Sequence, residues 1–244
     1  MNNLTTVQPK IVLICEFSVK KIVQHKLYLI NYSIQFFLLN LLDKILNMKS
    51  NPLNFSLSSL NKLAIEKGRL LVAEPFMIDP YFKRSVVLLT EHKPEGTLGF
   101  ILNQPLNITV NDALRDFPAF ESPVFMGGPV QTDSLFFIHT QGNIIEESEH
   151  VIDNIYWSGN FEALKIRITE QQIFPHEVMF FVGYSGWDSK QLMNEIKNNS
   201  WVIADGKGFS LNDFKSPQLW QNVLQKQGPK HAIIANFPED PSLN

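Results

Sequence analysis

The sequence predicts an α+β fold with a mainly antiparallel sheet. Three observations lead there. Apolar runs of strand length, Leu70–Ala73 and Val86–Leu89 among them, recur through the body of the chain. Helix-period segments fall between them without a regular strand–helix–strand alternation, which disfavours a doubly wound fold. The turn signal Lys93-Pro94-Glu95-Gly96 joins two strand-like runs as a hairpin.

The elements follow in order. Gly68 opens a first strand over 69–73, and Val86–Leu89 forms the second. Thr97–Leu102 pairs with it as a hairpin, and Gly99 marks a bulge or a close backbone approach. Asn103-Gln104-Pro105-Leu106 ends that strand. Thr109 with Asp112 reads as a capping box opening a short helix over 110–116, which Pro118 stops. Val124–Met126 and Leu135–His139 read as strands separated by Gly127-Gly128-Pro129. Phe161–Thr169 is a helix and Glu177–Val182 a strand. Asp188 with Gln191 signals an N-terminus for a helix over 189–197, with Leu192, Met193 and Ile196 on its apolar face. Trp201–Ala204 is a strand, and Pro217 opens a helix over 218–225 that buries Leu219, Trp220, Val223 and Leu224. Ile233–Ala235 reads as a final strand before a polar tail, Pro238–Asn244.

Length and composition suit one domain with an appendage: 244 residues, 44% hydrophobic and 18% charged. Residues 1–47 are an atypical extension, 48–66 a polar leader, and 67–244 the body. The first 48 residues contain no Gly and carry five Lys against two Asp/Glu. Their apolar stretch Ile34–Leu42 is interrupted by Gln35 and Asn40, so it is too short to span a bilayer. It begins too late for a signal peptide. Either translation starts at Met48 or the segment is an amphipathic helix lying on a membrane or partner. Mass spectrometry of the native N-terminus distinguishes the two.

The single cysteine, Cys15, excludes an intrachain disulfide and a Cys-based zinc site, which makes the cytoplasm the expected compartment. The formal net charge is −3, and all of that acidity lies beyond residue 48. An acidic body and no helix-turn-helix pattern argue against direct nucleic-acid binding. The histidines stand at 25, 92, 139, 150, 176 and 231, with no metal-ligand spacing. No cofactor is expected.

The candidate site starts from Asp79-Pro80-Tyr81-Phe82-Lys83-Arg84-Ser85, an acid, two aromatics and two cations set between apolar strands. Asp79 can accept bonds from nearby backbone amides, and Arg84 can hold a carboxylate or phosphate. The plainer reading, weighted more heavily, is an Asp79–Arg84 ion pair that fixes the turn. Gly127-Gly128-Pro129-Val130 permits close backbone approach but is neither a P-loop nor a dinucleotide fingerprint. Gly183-Tyr184-Ser185-Gly186-Trp187 fails the nucleophile-elbow pattern, because Trp187 stands where its last Gly belongs. Tyr184 and Trp187 read as aromatic walls. Glu146-Glu147-Ser148-Glu149 reads as a solvated loop. Asp79, Tyr81, Arg84, Asn103, Gly127, Gly128, Tyr184 and Trp187 make up the ligand-binding candidates, with no catalytic or metal residues among them.

These segments, together with Gly68-Arg69-Leu70-Leu71, Glu91-His92, Gly99-Phe100-Ile101-Leu102-Asn103-Gln104-Pro105-Leu106 and Asn199-Ser200-Trp201, resemble the YqgE/AlgH family of bacterial proteins over roughly residues 67–244. The ending Ala235–Asn244 is similar to that of relatives from the Bacteroidetes. Two positions depart from the family pattern: Ser185 where Ala is usual, and Gln104 where Arg is frequent. The resemblance implies an α+β fold with a bent, pseudo-barrel sheet and a few flanking helices. It carries the label of transcriptional regulator but implies no settled activity. The leading expectation is a cytoplasmic, non-enzymatic binding or regulatory protein whose partner is an unknown protein or small molecule, with no integral membrane association. One alternative is an enzyme acting on an anionic small molecule held by Arg84, with His92 or Asp79 moving a proton. The other is a direct DNA-binding regulator, which the acidic body disfavours.

Overall fold

The computed structural model describes residues 57–238 and the two-residue strand β1, Val12–Leu13. Expectations for the extension 1–47, for a start at Met48 and for the tail beyond Pro238 lie outside the described residues. Eleven strands form one sheet among the described residues, and it curls into a half-barrel.

The strands are β2 (Arg69–Ala73), β3 (Val86–Lys93), β4 (Gly96–Ile101), β5 (Pro105–Thr109), β6 (Pro123–Met126), β7 (Val130–His139), β8 (Glu149–Ile152), β9 (Ile155–Trp157), β10 (Val178–Asp188) and β11 (Trp201–Asp205). The main path runs β11-β2-β3-β4-β10-β7-β9-β8, with β1 on β7 and β5 on β6. All pairings are antiparallel except β6 with β10.

Strands β2, β3 and β4 are buried on both faces, which is why they read as continuous apolar runs rather than alternating ones. Alternate residues go to opposite sides. Leu70, Val72, Val86, Leu88, Phe100 and Leu102 enter the concave core with Phe136, Met179 and Phe181. Leu71, Ala73, Val87, Leu89 and Ile101 face outward, under α3 (Gln191–Lys197). The other convex half, with Leu135, Phe137, Val178 and Phe180, is covered by α1 (Val110–Ala113) and α2 (Phe161–Thr169). Helices α4 (Leu211–Phe214), α5 (Leu219–Lys226) and α6 (Pro229–Ala235) close the mouth of the half-barrel with Phe214, Trp220, Val223, Leu224 and Ile234.

The leader's described part joins the body: Leu60 is buried in the concave core, and Leu63 and Ile65 pack on the outer cluster. Asn61 stands in for a missing strand beside β11, donating through Nδ2 to Trp201 O (2.9 Å) and accepting from Ile203 N (2.6 Å). The amide blunts an edge that otherwise offers a free row of backbone groups.

Several expectations are corrected here. The run Ile233–Ala235 is helical, because Gly228-Pro229 starts α6 with a proline at its first turn. The helix expected from Ser189 begins at Gln191. Asp188 ends β10, and its N–H donates to Gln191 Oε1 (3.3 Å), the reverse of the expected cap. Met193, expected on the buried face, is half exposed. The expected strand at 177–182 continues to Asp188 as β10, because Gly183 (φ +68°) absorbs a bulge between Val182 and Tyr184. Glu149, expected in a solvated loop, begins β8.

Candidate functional site

The expected Asp79–Arg84 pair is absent. Asp79 Oδ1 accepts from Tyr81 N (2.8 Å) and Phe82 N (3.3 Å), making a closed Asx turn. Burial pushes its carboxyl above the usual range, against the lowering effect of those two amides and with a smaller push from Glu195. Arg84 turns the other way. Its backbone takes a left-handed φ of +50°, and its guanidinium lies 4.4 Å from the centre of the Trp220 ring. From there Nη2 donates to Phe237 O (2.6 Å) and Pro238 O (2.5 Å), holding the segment that follows α6. Phe76 stacks on Phe237 at 5.8 Å.

Asn103 and Gln104 fasten the same turn from β4's end. Asn103 accepts from Val86 N (2.9 Å) and donates to Arg84 O (2.8 Å); Gln104 Nε2 donates to Tyr81 O (2.7 Å). Gln104 O receives Met126 N, and Gly127 O receives Ile101 N. Gly127 N in turn donates to Val182 O (2.9 Å), and Ser185 Oγ donates to Gly127 O (3.0 Å). The glycines are needed: a Cβ on Gly127 would overlap Gly183 O, and one on Gly128 would overlap the backbone of Tyr184 and Ser185. Tyr184 packs edge-on against Phe136 in the concave core.

Trp187 lies on the other side of the sheet. It is buried in the outer cluster, 6.2 Å from Phe82 and 6.0 Å from Trp201. The turn thus sends Phe82 to the convex face and Arg84 to the concave one. Arg84 and Trp187 are on opposite faces, so no single pocket holds both.

Glu195 is the residue that motif reasoning missed. Its Oε2 accepts from both indoles, Trp187 Nε1 (2.8 Å) and Trp201 Nε1 (2.8 Å), while Oε1 accepts from Gln191 Nε2 (2.9 Å). The only local signal was its spacing of four residues from Gln191.

A second unforeseen pair is His139 with Ser148, Nε2 to Oγ 3.1 Å. It is not a nucleophile–base dyad. Gln141 N–H donates to His139 Nδ1 (3.1 Å), which places the ring proton on Nε2, facing Ser158 O (3.0 Å). Ser148 sends its own proton to Ile145 O (2.6 Å). Burial lowers His139 to about 4, with the Ser158 bond opposing. Its protonation is thus resisted by the fold. Between about 6.5 and 4 the unfolded chain takes up a proton that the folded chain refuses, so stability is full above that window and falls as pH drops through it. The loss amounts to roughly 3 kcal/mol, offset in part by Glu74 and Asp79, whose raised carboxyls favour the fold when protonated. Melting midpoints from pH 7 to 4.5 should fall steeply for the native chain and less for His139→Gln. Parallel slopes would contradict the assignment.

His92, the proton-transfer candidate, is exposed at the far end of β3. Its Nδ1 lies 2.8 Å from Thr97 Oγ1 beside a cleft of about 390 Å³. Arg84 precedes the start of the same strand, roughly 25 Å away at the usual rise per residue. Among the described residues no three His, Cys, Asp or Glu side chains gather as a metal site.

Two open clefts lie elsewhere, on either side of Phe117 and Ala119. One, of about 940 Å³, is bounded by β5 and α1; the other, of about 810 Å³, runs along α2. None of the eight expected residues lines either cleft.

A family model described as AlgH-like matches residues 70–232. The chain belongs to the AlgH-like family. It is 42% identical over 181 residues to a UPF0301 protein of Cytophaga hutchinsonii, covering 74% of this chain and all of that one. It is 38% identical over 185 residues to a UPF0301 protein of Bacteroides fragilis, covering 75% and 94%. Among solved structures, the AlgH-like fold matches a Corynebacterium diphtheriae protein with a TM-score of 0.63 at 21% identity, covering 76% of this chain and all of that one. It matches AlgH of Pseudomonas aeruginosa at 0.53 and 23% identity, covering 78% and 97%. The curled α+β architecture is that of AlgH-like proteins. No helix of the described residues is long and apolar enough to cross a membrane.

Proposed function

We propose that this AlgH-like chain is a cytoplasmic, non-enzymatic binding or regulatory protein. One observation carries the reading: four of the polar side chains that the motifs assemble are engaged by the fold. Asp79, Arg84, Asn103 and Gln104 all bond to backbone groups of the chain itself. The enzymatic alternative asks Arg84 to hold an anion while it already holds Phe237 and Pro238, with His92 a strand-length away. The large open surfaces, by contrast, are clefts lined by a mixture of apolar and polar side chains, a composition suited to a partner.

The test is affinity capture with the full chain in extract of its native cells, followed by mass spectrometry of bound proteins and of metabolites before and after incubation. A partner protein recovered in fixed stoichiometry, with metabolites unchanged, is the expected result. A metabolite consumed in proportion to added chain would contradict the reading.

A further inference from the structure

We propose that the two clefts flanking Phe117–Ala119 form one trough that docks a basic amphipathic helix of a partner protein. This rests on the binding reading above and names its surface and its ligand chemistry.

Both clefts expose apolar side chains. Ile108, 39% exposed, stands on the β5 side and Ile166, 54% exposed, on the α2 side, with Phe117 and Ala119 between them. Each cleft matches a whole small-ligand site in volume, so the pair side by side suits a longer occupant.

The rim is acidic. Asp112, Asp116 and Glu121 border the trough. Asp112 stays ionised because Thr109 N–H and Oγ1–H both donate to it (2.7 Å each). Nearby cations leave this charge largely standing. Lys165 is matched by Glu162 (3.2 Å) and Arg167 by Glu170 (3.2 Å), and the three acids Asp112, Asp116 and Glu121 outnumber Arg115, the one cation of their own segment 110–121. An excess of acid around exposed apolar side chains is complementary to a segment carrying Leu-type side chains on one face and Lys or Arg on the other.

The strand edge explains why the occupant is a helix. Among the described residues β5 pairs on one side only, with β6, and its register is irregular between Pro105 and Thr109, with Leu106 packed inward and Ile108 exposed. Such an irregularity blunts an edge against strand addition. It also leaves Ile108 in the open, where a helix face can cover it.

The probe is a synthetic 18-residue Leu/Lys amphipathic helix titrated into isotope-labelled full chain and followed by NMR. Its controls are a Leu/Glu helix and a Leu/Lys sequence scrambled to destroy the apolar face. Saturable shifts confined to residues 106–123 and 161–171 are expected. Affinity should drop at least tenfold both for Asp116→Lys with Glu121→Lys and for Ile108→Ser with Ile166→Ser. All four are surface changes, and unchanged melting midpoints verify that the fold persists. Shifts elsewhere, equal binding of the acidic or scrambled helix, indifference to both double variants, or no saturable binding would each overturn the proposal. So would a dimer of the free chain that the same variants dissolve, which assigns the trough to a second copy. The two readings fail separately: capture without any partner contradicts the binding function, whereas a captured partner whose cross-links avoid the trough contradicts only this surface.

Discussion

Gly127→Ala should destabilise the chain by more than about 3 kcal/mol, lowering the melting midpoint by roughly 10 °C or abolishing soluble expression. The reason is steric and has nothing to do with backbone freedom, since φ at this residue is not in the left-handed region. An added Cβ would overlap Gly183 O and press on Phe100 Cδ1 and Phe181 Cβ, each at 3.0 Å. None of these can move cheaply. The Gly183 carbonyl belongs to the bulged centre of β10, and Phe100 stacks on Phe181 at 4.9 Å inside the concave core. Shifting Gly127 itself would break its bonds with Val182, Ile101 and Ser185. Gly186→Ala, in the neighbouring Gly183–Trp187 segment, is the control. Its Cβ would press on the Tyr184 ring, at 3.2 Å, with Val130 Cγ2 at an ordinary contact of 3.8 Å, and a side chain can yield. A cost below about 1 kcal/mol is expected there. Thermal melts of the two variants check the contrast, and equal midpoints would remove the argument.

Glu195→Ala should cost about 3 kcal/mol or more, and Glu195→Gln distinctly less. One carboxylate oxygen serves two indole N–H groups, and both Trp187 and Trp201 are buried. Removing it strands two donors where water has little access, at about 1–3 kcal/mol each. Glutamine retains an oxygen for the indoles but sets its amide against Gln191 Nε2, which now donates to Glu195 Oε1. Denaturant titrations monitored by tryptophan fluorescence read stability and indole environment together. An alanine variant as stable as the glutamine one would show that the shared carboxylate contributes little.

The features legible in the sequence are those whose cause is local. The Thr109–Asp112 capping box is complete within four residues, and the structure contains both of its bonds. The Lys93–Gly96 turn closes the β3–β4 hairpin for the same reason. The β8–β9 hairpin was invisible because Glu149 and His150 look like solvent-facing loop residues. Its identity depends on pairing with β7, supplied by Ile138 and His139 far back in the chain. Ile233–Ala235 shows the ambiguity of a short apolar run, which the helix start at Gly228-Pro229 resolves.

The site divides in the same way. Motif spacing identified Asp79, Asn103, Gly127 and Gly128 as residues with a special task, and each makes or permits a close backbone contact. What spacing could not convey was direction. Phe82 and Arg84 are two residues apart, yet they serve opposite faces of the sheet, and Arg84 donates to carbonyls more than 150 positions away in the chain. Glu195 looked like one more polar residue on an amphipathic helix. Only the tertiary arrangement brings two tryptophans to it.

On the function proposed above, the Asp79–Val86 turn fastens the fold and a partner binds elsewhere. The most direct test is the affinity of the captured partner for Arg84→Ala, measured by calorimetry well below the variant's melting midpoint. Loss of the Trp220 stack and two charge-assisted bonds should destabilise the chain by about 2–3 kcal/mol. That lower midpoint together with native affinity is the expected result. A native midpoint with lost affinity would contradict it and return Arg84 to the binding site.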